Sequence, residues 1–514
     1  MRRHTFVADP APADPQSVTA ARARLAAAYD AEGFRHAGRA TTDALADHLA
    51  AAMAGETDVL NWHAPDDNIA AAAAALMNGD PVAAGTNVAG RVRDLVGEIL
   101  ARGQNLHSPR YIGHQVPASV PVAGLFDAVG SVTNQPMAIY EMGPFASAAE
   151  AACVAALGEK LGFEPGTFAG FVTHGGSLAN TTCMLTARNV RLGDSWEDGV
   201  PREGPRPVIV AHGESHYCLM RAGGVLGMGT RQVLKTPLDD RRRTDPAGLD
   251  RMLYELREDG VPVVAVAAGS CATPVGAFDD LNAVADVCER YGVWLHVDAA
   301  HGGAAAFSPT HRHFLAGIER ADSVIWDAHK MLFVPALCAF VFYKNRAHRF
   351  EAFRQDAPYL FDPTDPGLAE HDSGMKTLEC TKRAAALGLW GTWATFGERL
   401  FTDLVDVTFA LARSLYEKLD AAEDFVPLND PQCNIVSFRH LPDSLDAGDD
   451  AAVSRFHQRL RTDLIRSGRF YVTPTKKDGV AALRCTCMNP LTTEDHLDEL
   501  LDELRRRGRG PGAA

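Results

Sequence analysis

Six short apolar runs, each followed by a stretch of helical character, occupy the middle of the chain. FAGFVTHGG, PVIVAHG, VPVVAVAAGS, VWLHVDA, SVIWDAH and CAFVFYK all lie between about residues 165 and 345. Runs this continuous suit strands buried on both faces, because a strand with one wet face alternates apolar and polar residues. Between two of them, Asp279 or Asp280 can cap LNAVADVCERYG and Gly292 can stop it. Strand, helix, strand repetition predicts an α/β chain with a mostly parallel central sheet.

The flanks have other textures. Ala-rich segments such as ARARLAAAYDAEGF and GRVRDLVGEILARG place apolar residues at three- and four-residue spacing, which predicts helices. Beyond about residue 400 come a long helix, FTDLVDVTFALARSLYEKLD, a strand, CNIVSFR, and a last helix opened by Thr492-Thr493-Glu494-Asp495. The expected organisation is an N-terminal helical arm over 1–105, a large sheet domain over 106–395, a small C-terminal α+β domain over 396–505 and a disordered tail over 506–514.

Charge and cysteine usage exclude several classes. A formal charge of −15 argues against a general nucleic-acid or anionic-membrane surface, and the runs Arg241-Arg242-Arg243 and Arg505-Arg506-Arg507 sit beside acidic residues as solvated faces. No stretch reaches the roughly 18 apolar residues of a membrane span, and MRRHTFVADPAPADP lacks a signal peptide's apolar segment. The ten cysteines follow no disulfide or zinc spacing. A cytoplasmic protein with reduced thiols and a small-molecule substrate is expected.

WDAHKMLFVPA puts Lys330 at a strand end between apolar runs, where a buried amine costs several kcal/mol unless it is neutralised or bonded. Burial would depress its pKa and free the amine for a Schiff base. Asp298, in HVDAA, also ends a strand, where open α/β sheets bind ligands, so the two side chains could flank one pocket. Alone, Asp298 could equally cap a helix. Gly175-Gly176-Ser177 lets backbone N–H groups approach an anion at a helix start, although Gly-Gly-Ser is also ordinary turn material. His212 and His216 superficially suggest a metal pair; a histidine stacked on a planar ligand fits better, and no metal is expected. A pyridinium ring on Lys330 needs a carboxylate at its nitrogen, a phosphate cradle and a flat partner. Asp298, the glycine turn and His216 supply these three.

The segments SPRYIGHQ, YEMGP, HGGSLANTT, SHYCLMRAGGVLG, GAFDDL, HVDAAHGG, ADSVIWDAHKM and ALRCTCMNPLTTED, in this order from about 107 to 500, resemble the group II pyridoxal-phosphate-dependent amino-acid decarboxylases. The resemblance implies the aspartate-aminotransferase fold, a homodimer with interfacial active sites, and pyridoxal 5'-phosphate bound in the 106–395 domain. Lys330 then looks like the Schiff-base lysine, preceded by His329. Asp298 looks like the ring-nitrogen partner, Ala300 the small residue on the ring, His216 the stacking histidine, and Gly176 and Ser177 the phosphate turn. Thr273 matches a threonine near the cofactor and Arg484 an arginine near the substrate carboxylate. Gln115 and Asn134 are further candidates for touching substrate.

Two departures from the family pattern stand out. The mobile loop that often carries a proton-donating tyrosine corresponds to LFDPTDPGLAEHDSG, which has none; Gly367 falls near that point, leaving His371 or His216 as donors. Cys271-Ala-Thr273 stands where relatives commonly have Gly-Thr-Thr. The expected reaction is decarboxylation of an L-amino acid to an amine and carbon dioxide. The alternatives are decarboxylation-dependent oxidative deamination to an aldehyde, other Cα chemistry on the same fold, and a non-catalytic cofactor-binding protein. DAPYLF and ADSVIWDAHKM favour the glutamate and cysteine-sulfinate branch mildly.

Overall fold

The computed structural model describes residues 15–77, 87–353 and 370–509. It divides into two compact units, one of residues 1–108 with 466–469, the other of 109–465 with 470–514. In the first, the described residues form helices Pro15–Ala28, Ala31–Met53, Pro65–Met77 and Val88–Ala101. Asp30 and Asn87 cap the second and fourth by accepting from Gly33 and Gly90 N–H.

The second unit holds two sheets. The larger contains β1 (Ala169–Thr173), β2 (Val208–Ala211), β3 (Val233–Lys235), β4 (Val263–Gly269), β5 (Trp294–Asp298), β6 (Ser323–Asp327) and β7 (Ala339–Tyr343), in the order β1-β7-β6-β5-β4-β2-β3. The pairs from β3 across to β6 are parallel, and β7 runs antiparallel to both β6 and β1. The six apolar runs are therefore β1, β2 and β4 to β7. Every residue of β2, β6 and β7 is buried, as the apolar runs predict, and in β6 the burial extends to the terminal Ser323 and Asp327. The three-residue β3 has no such run.

Asp280, not Asp279, caps helix Leu281–Tyr291, and Gly292 ends it in the left-handed conformation at φ 61°. Asp279 is spent on the Thr244 and Gly269 N–H groups.

The smaller, antiparallel sheet has the order β10-β11-β9-β8, from β8 (Phe425–Pro427), β9 (Ile435–His440), β10 (Thr473–Lys477) and β11 (Val480–Thr486). Asp478 and Gly479, with φ of 53° and 83°, join β10 to β11 through a two-residue turn that demands positive φ. Helices Arg399–Asp420, Asp450–Arg466 and Glu494–Gly508 belong with it.

Two expectations need correction. The last helix runs to Gly508, three residues into the expected tail, because Arg506 and Arg507 both pair with Glu503; residues 510–514 lie outside the described residues. The arginine runs are also ion-paired instead of merely solvated, Arg242 with Glu214, Arg243 with Asp239 and Arg505 with Asp424. Among the described residues no helix is long and apolar enough to cross a membrane.

Candidate active site

A cavity of about 330 Å³ opens where β1, β2, β4, β5 and β6 end, the edge at which such sheets collect ligands. Its walls include Lys330, His329, Asp298, Ala300, His216, Thr273, Gly176, Ser177 and Gln115. Arg484 is not among them. It lies on β11, buried, with Nη1 donating to the Thr273 carbonyl at 2.7 Å and Nε to Thr473 Oγ1 at 3.2 Å.

Strand β6 delivers Lys330 one short helical turn past its end, and Lys330 Nζ meets Asp327 Oδ2 at 3.1 Å. Burial pulls the amine's pKa down, but Asp327 and Asp298 outweigh it and hold the pKa above the ordinary lysine value. This reverses the expectation of a depressed lysine. That expectation weighed desolvation alone and missed the carboxylate one helical turn upstream. Asp327 is itself buried, and its Oδ1 has no hydrogen-bond partner.

Asp298 is held by a relay of hydrogen bonds whose direction is fixed. A carboxylate only accepts, so Asn180 Nδ2 donates to Asp298 Oδ2, at 3.1 Å. Asn180 Oδ1 therefore accepts from His296 Nε2, at 2.8 Å. His296 Nδ1 is then the acceptor for Ser323 Oγ, at 2.9 Å, and Ser323 Oγ accepts from Trp294 Nε1, also at 2.9 Å. Burial pushes the His296 pKa down to about 4, which keeps the single tautomer the relay needs. The other oxygen, Oδ1, accepts from Ala300 N–H at 3.1 Å. Asn180 and His296 went unread in the sequence. For Asn180 the available signal was its four-residue spacing from Gly176, which sets those two residues on one helix face; for His296 it was the two-residue spacing from Asp298 along β5, which sets those two on one strand face.

The glycine turn opens helix Gly176–Arg191, with Gly175 at φ 110°. A Cβ at position 176 would stand 2.6 Å from Asp327 Oδ2, so glycine is required by the close approach of that carboxylate as well as by any ligand. Beside the turn, His174 Nδ1 faces Glu379 Oε1 at 3.2 Å.

His216 lines the cavity with its pKa lowered, mainly by burial, so the ring is a neutral plane. Its Nδ1 accepts from Cys218 N–H at 3.3 Å. His212 has both nitrogens engaged, Nδ1 by Glu214 N–H and Nε2 by the Arg242 carbonyl, and so does not pair with His216 on a metal. His371 lines a separate cavity with Arg349 and Glu370, and Asn134 ends helix Pro121–Thr133 at φ 46°. Gly367, the point where the family's loop tyrosine was sought, lies outside the described residues.

These groups fit pyridoxal phosphate. They offer an amine for its aldehyde, a carboxylate with both oxygens ordered for a protonated ring nitrogen, and a glycine-lined helix N-terminus for the phosphate. Asp327, whose buried Oδ1 has no hydrogen-bond partner, also contributes to the lining.

Comparison with known proteins agrees. Residues 95–441 match the pyridoxal-dependent decarboxylase conserved domain. The acidic amino acid decarboxylase GADL1 of Mus musculus is 32% identical over 383 residues, covering 73% of this chain and 69% of the relative. The crystal structure of mouse CSAD superposes with a TM-score of 0.83 at 26% identity, covering 92% of this chain and 99% of that one. Rhodiola rosea 4-hydroxyphenylacetaldehyde synthase, 18% identical, shares the fold with a TM-score of 0.81 over 94% of this chain and all (100%) of its own.

Proposed function

The chain belongs to the pyridoxal-dependent decarboxylase family, and from that premise we propose that its substrate is an acidic L-amino acid, with the cofactor held on Lys330. It is a pyridoxal-phosphate-dependent amino-acid decarboxylase. The observation that carries the site assignment is the convergence of Lys330 and the doubly anchored Asp298 on one cavity. The acidic substrate is supported by the relative's name.

When bound, pyridoxal phosphate supplies an aldehyde for an amine and a cationic ring that accepts the electron pair left as carbon dioxide departs. The protein's tasks are then orientation and proton placement. Asp298 presents a fixed negative charge where the ring nitrogen would sit, and the relay through Asn180 spares it reorganisation during reaction. His216, Ala300 and His329 would bound the ring, and Gly176 and Ser177 would hold the phosphate, with Thr273 in the same wall. Gln115 would take the substrate side, and Arg484 would act from behind the wall, where it holds the Thr273 carbonyl. Lys330 has two tasks: it is the amine that would hold the cofactor, and whenever it is free its Nζ is favoured as an ammonium beside Asp327 and can supply a proton. His216, kept neutral by burial, is the poorer donor.

A homodimer is supported by Leu125, Val129 and Val132, exposed at helical spacing on one helix, with Phe145 exposed on the next. A reducing, cytoplasmic setting is supported by ten cysteines that are all free thiols. The aldehyde-forming reaction stays a second reading because LFDPTDPGLAEHDSG contains no tyrosine.

One assay tests the proposal. Purified enzyme is offered glutamate, aspartate, cysteine sulfinate, 2,4-diaminobutyrate and the aromatic amino acids, and carbon dioxide, amine, aldehyde, ammonia and peroxide are measured. Amine and carbon dioxide in equal amounts from an acidic substrate are expected. Turnover confined to basic or aromatic substrates would overturn the substrate class, and aldehyde with ammonia would establish the second reading.

A further inference from the structure

We propose that Cys271, His301 and Cys433 form a binding site for a thiophilic metal ion of the zinc type, on the wall of the active-site cavity. One ligand atom from each lies within 4.8 Å of the other two, and all three residues are buried. The sulfurs are 3.3 Å apart. No step proposed for the decarboxylation uses them.

The imidazole makes the cluster more than a thiol pair. Asn434 Nδ2 donates to Met331 Sδ at 3.0 Å, so its Oδ1 is the acceptor for His301 Nε2 at 2.7 Å. His301 therefore carries its proton on Nε2, and Nδ1 presents a lone pair with no hydrogen-bond partner in a side chain only 3% exposed. A metal-bound histidine has this arrangement, with one nitrogen on the ion and the other donating to an oxygen that fixes the tautomer. Two thiolates also cancel the charge of a divalent ion, so the loaded site buries no net charge.

The fit requires a small adjustment. Zinc–sulfur bonds of about 2.3 Å at tetrahedral angles set two sulfurs about 3.8 Å apart, so the thiols must spread by about half an ångström. Cys433 Sγ also sits 3.6 Å from the Gly276 carbonyl, and a Cβ at 276 would lie 2.3 Å from it, which shows how little room the loop leaves on that side. Cys271 holds φ at 82°, a conformation cysteine adopts only under constraint. Three protein ligands leave a fourth position, which a water or small ligand from the cavity can fill, since Cys271 and His301 also line it. The ion would clasp the loop after β4, which carries Thr273, to the segment leading into β9.

The test uses the full-length holoenzyme, prepared under reductant without chelator and exposed to Zn²⁺ alone. Metal content after gel filtration is compared in wild type, Cys433→Ala, Asn434→Ala and Cys380→Ser, the last removing the exposed cysteine. Circular dichroism and cofactor absorbance verify folding. One zinc per chain is expected in wild type and Cys380→Ser, none in Cys433→Ala, and about 10- to 100-fold weaker binding in Asn434→Ala, where only the orienting acceptor is lost. No retained zinc in wild type, full retention in Cys433→Ala, or a Cys271–Cys433 disulfide in the reduced preparation would each overturn the site. Because the readout is metal content, failure here leaves the decarboxylase assignment standing, and failure of that assignment leaves this one.

Discussion

Asn180 and Asp298 are joined by a hydrogen bond of 3.1 Å that can run only one way, and it orders a chain of donors reaching back to Trp294. Removing Asn180 therefore unlocks the carboxylate without discharging it. Asn180→Ala should lower kcat/KM by about 10- to 100-fold, as for a lost hydrogen bond to a charged group, while Asp298→Asn should cost more. Steady-state kinetics of both variants, with cofactor affinity measured by absorbance titration, check the order.

Gly176→Ala tests the crowding between the glycine turn and Asp327. The added methyl carbon would stand 2.6 Å from Asp327 Oδ2, forcing that carboxylate away from Lys330. A stability loss of about 1–3 kcal/mol is expected from overpacking, together with weaker cofactor binding. Urea unfolding of the cofactor-free protein separates the two effects. A variant of unchanged stability that still binds normally would show that the turn has slack.

Stability should fall between pH 6.5 and 4. Burial pushes His296 and His457 down to about 4, so the unfolded chain binds protons that the folded chain refuses. Stability thus rises with pH through this window, fully present above the unfolded value of about 6.5, and each fully buried ring contributes up to about 3 kcal/mol. Denaturant midpoints at pH 7, 6, 5 and 4 should decline steadily, and a flat profile to pH 4 would contradict neutral buried rings.

Lys382 and Glu150 form a buried ion pair that also holds β1. Lys382 Nζ donates to both Glu150 oxygens, at 2.7 and 2.9 Å, and to the Val172 carbonyl at 2.7 Å, while Glu150 accepts from Val172 N–H. Lys382→Met should destabilise by about 3–5 kcal/mol because it strands a buried carboxylate. Glu150→Leu with Lys382→Met should recover much of that loss in the same unfolding experiment.

The sheet was legible because six of its seven strands are largely apolar runs, and only the three-residue β3 left no trace. Asp478-Gly479 is a legible hairpin signal, since both residues adopt the positive φ that such a turn needs. At the site, Lys330, Asp298 and the glycine turn were legible as strand-end residues. The supporting groups were not, since the relay joins residues more than a hundred positions apart, as from Asn180 to His296. Asp327 is plain in the sequence, three residues before Lys330, but its electrostatic weight comes from its burial. The charge on Lys330 depends on which acids fold against it, and local sequence does not display that.

Antiparallel β7 separates β1, which leads into the glycine turn, from β6, which leads into Lys330. Two inter-strand spacings put the strand axes about 10 Å apart. That span is gauged by backbone ladders, so a strand that gives the chemistry no working group sets the length of molecule that can bridge its neighbours. The measure can persist while the side chains around it drift, so long as the two ladders hold.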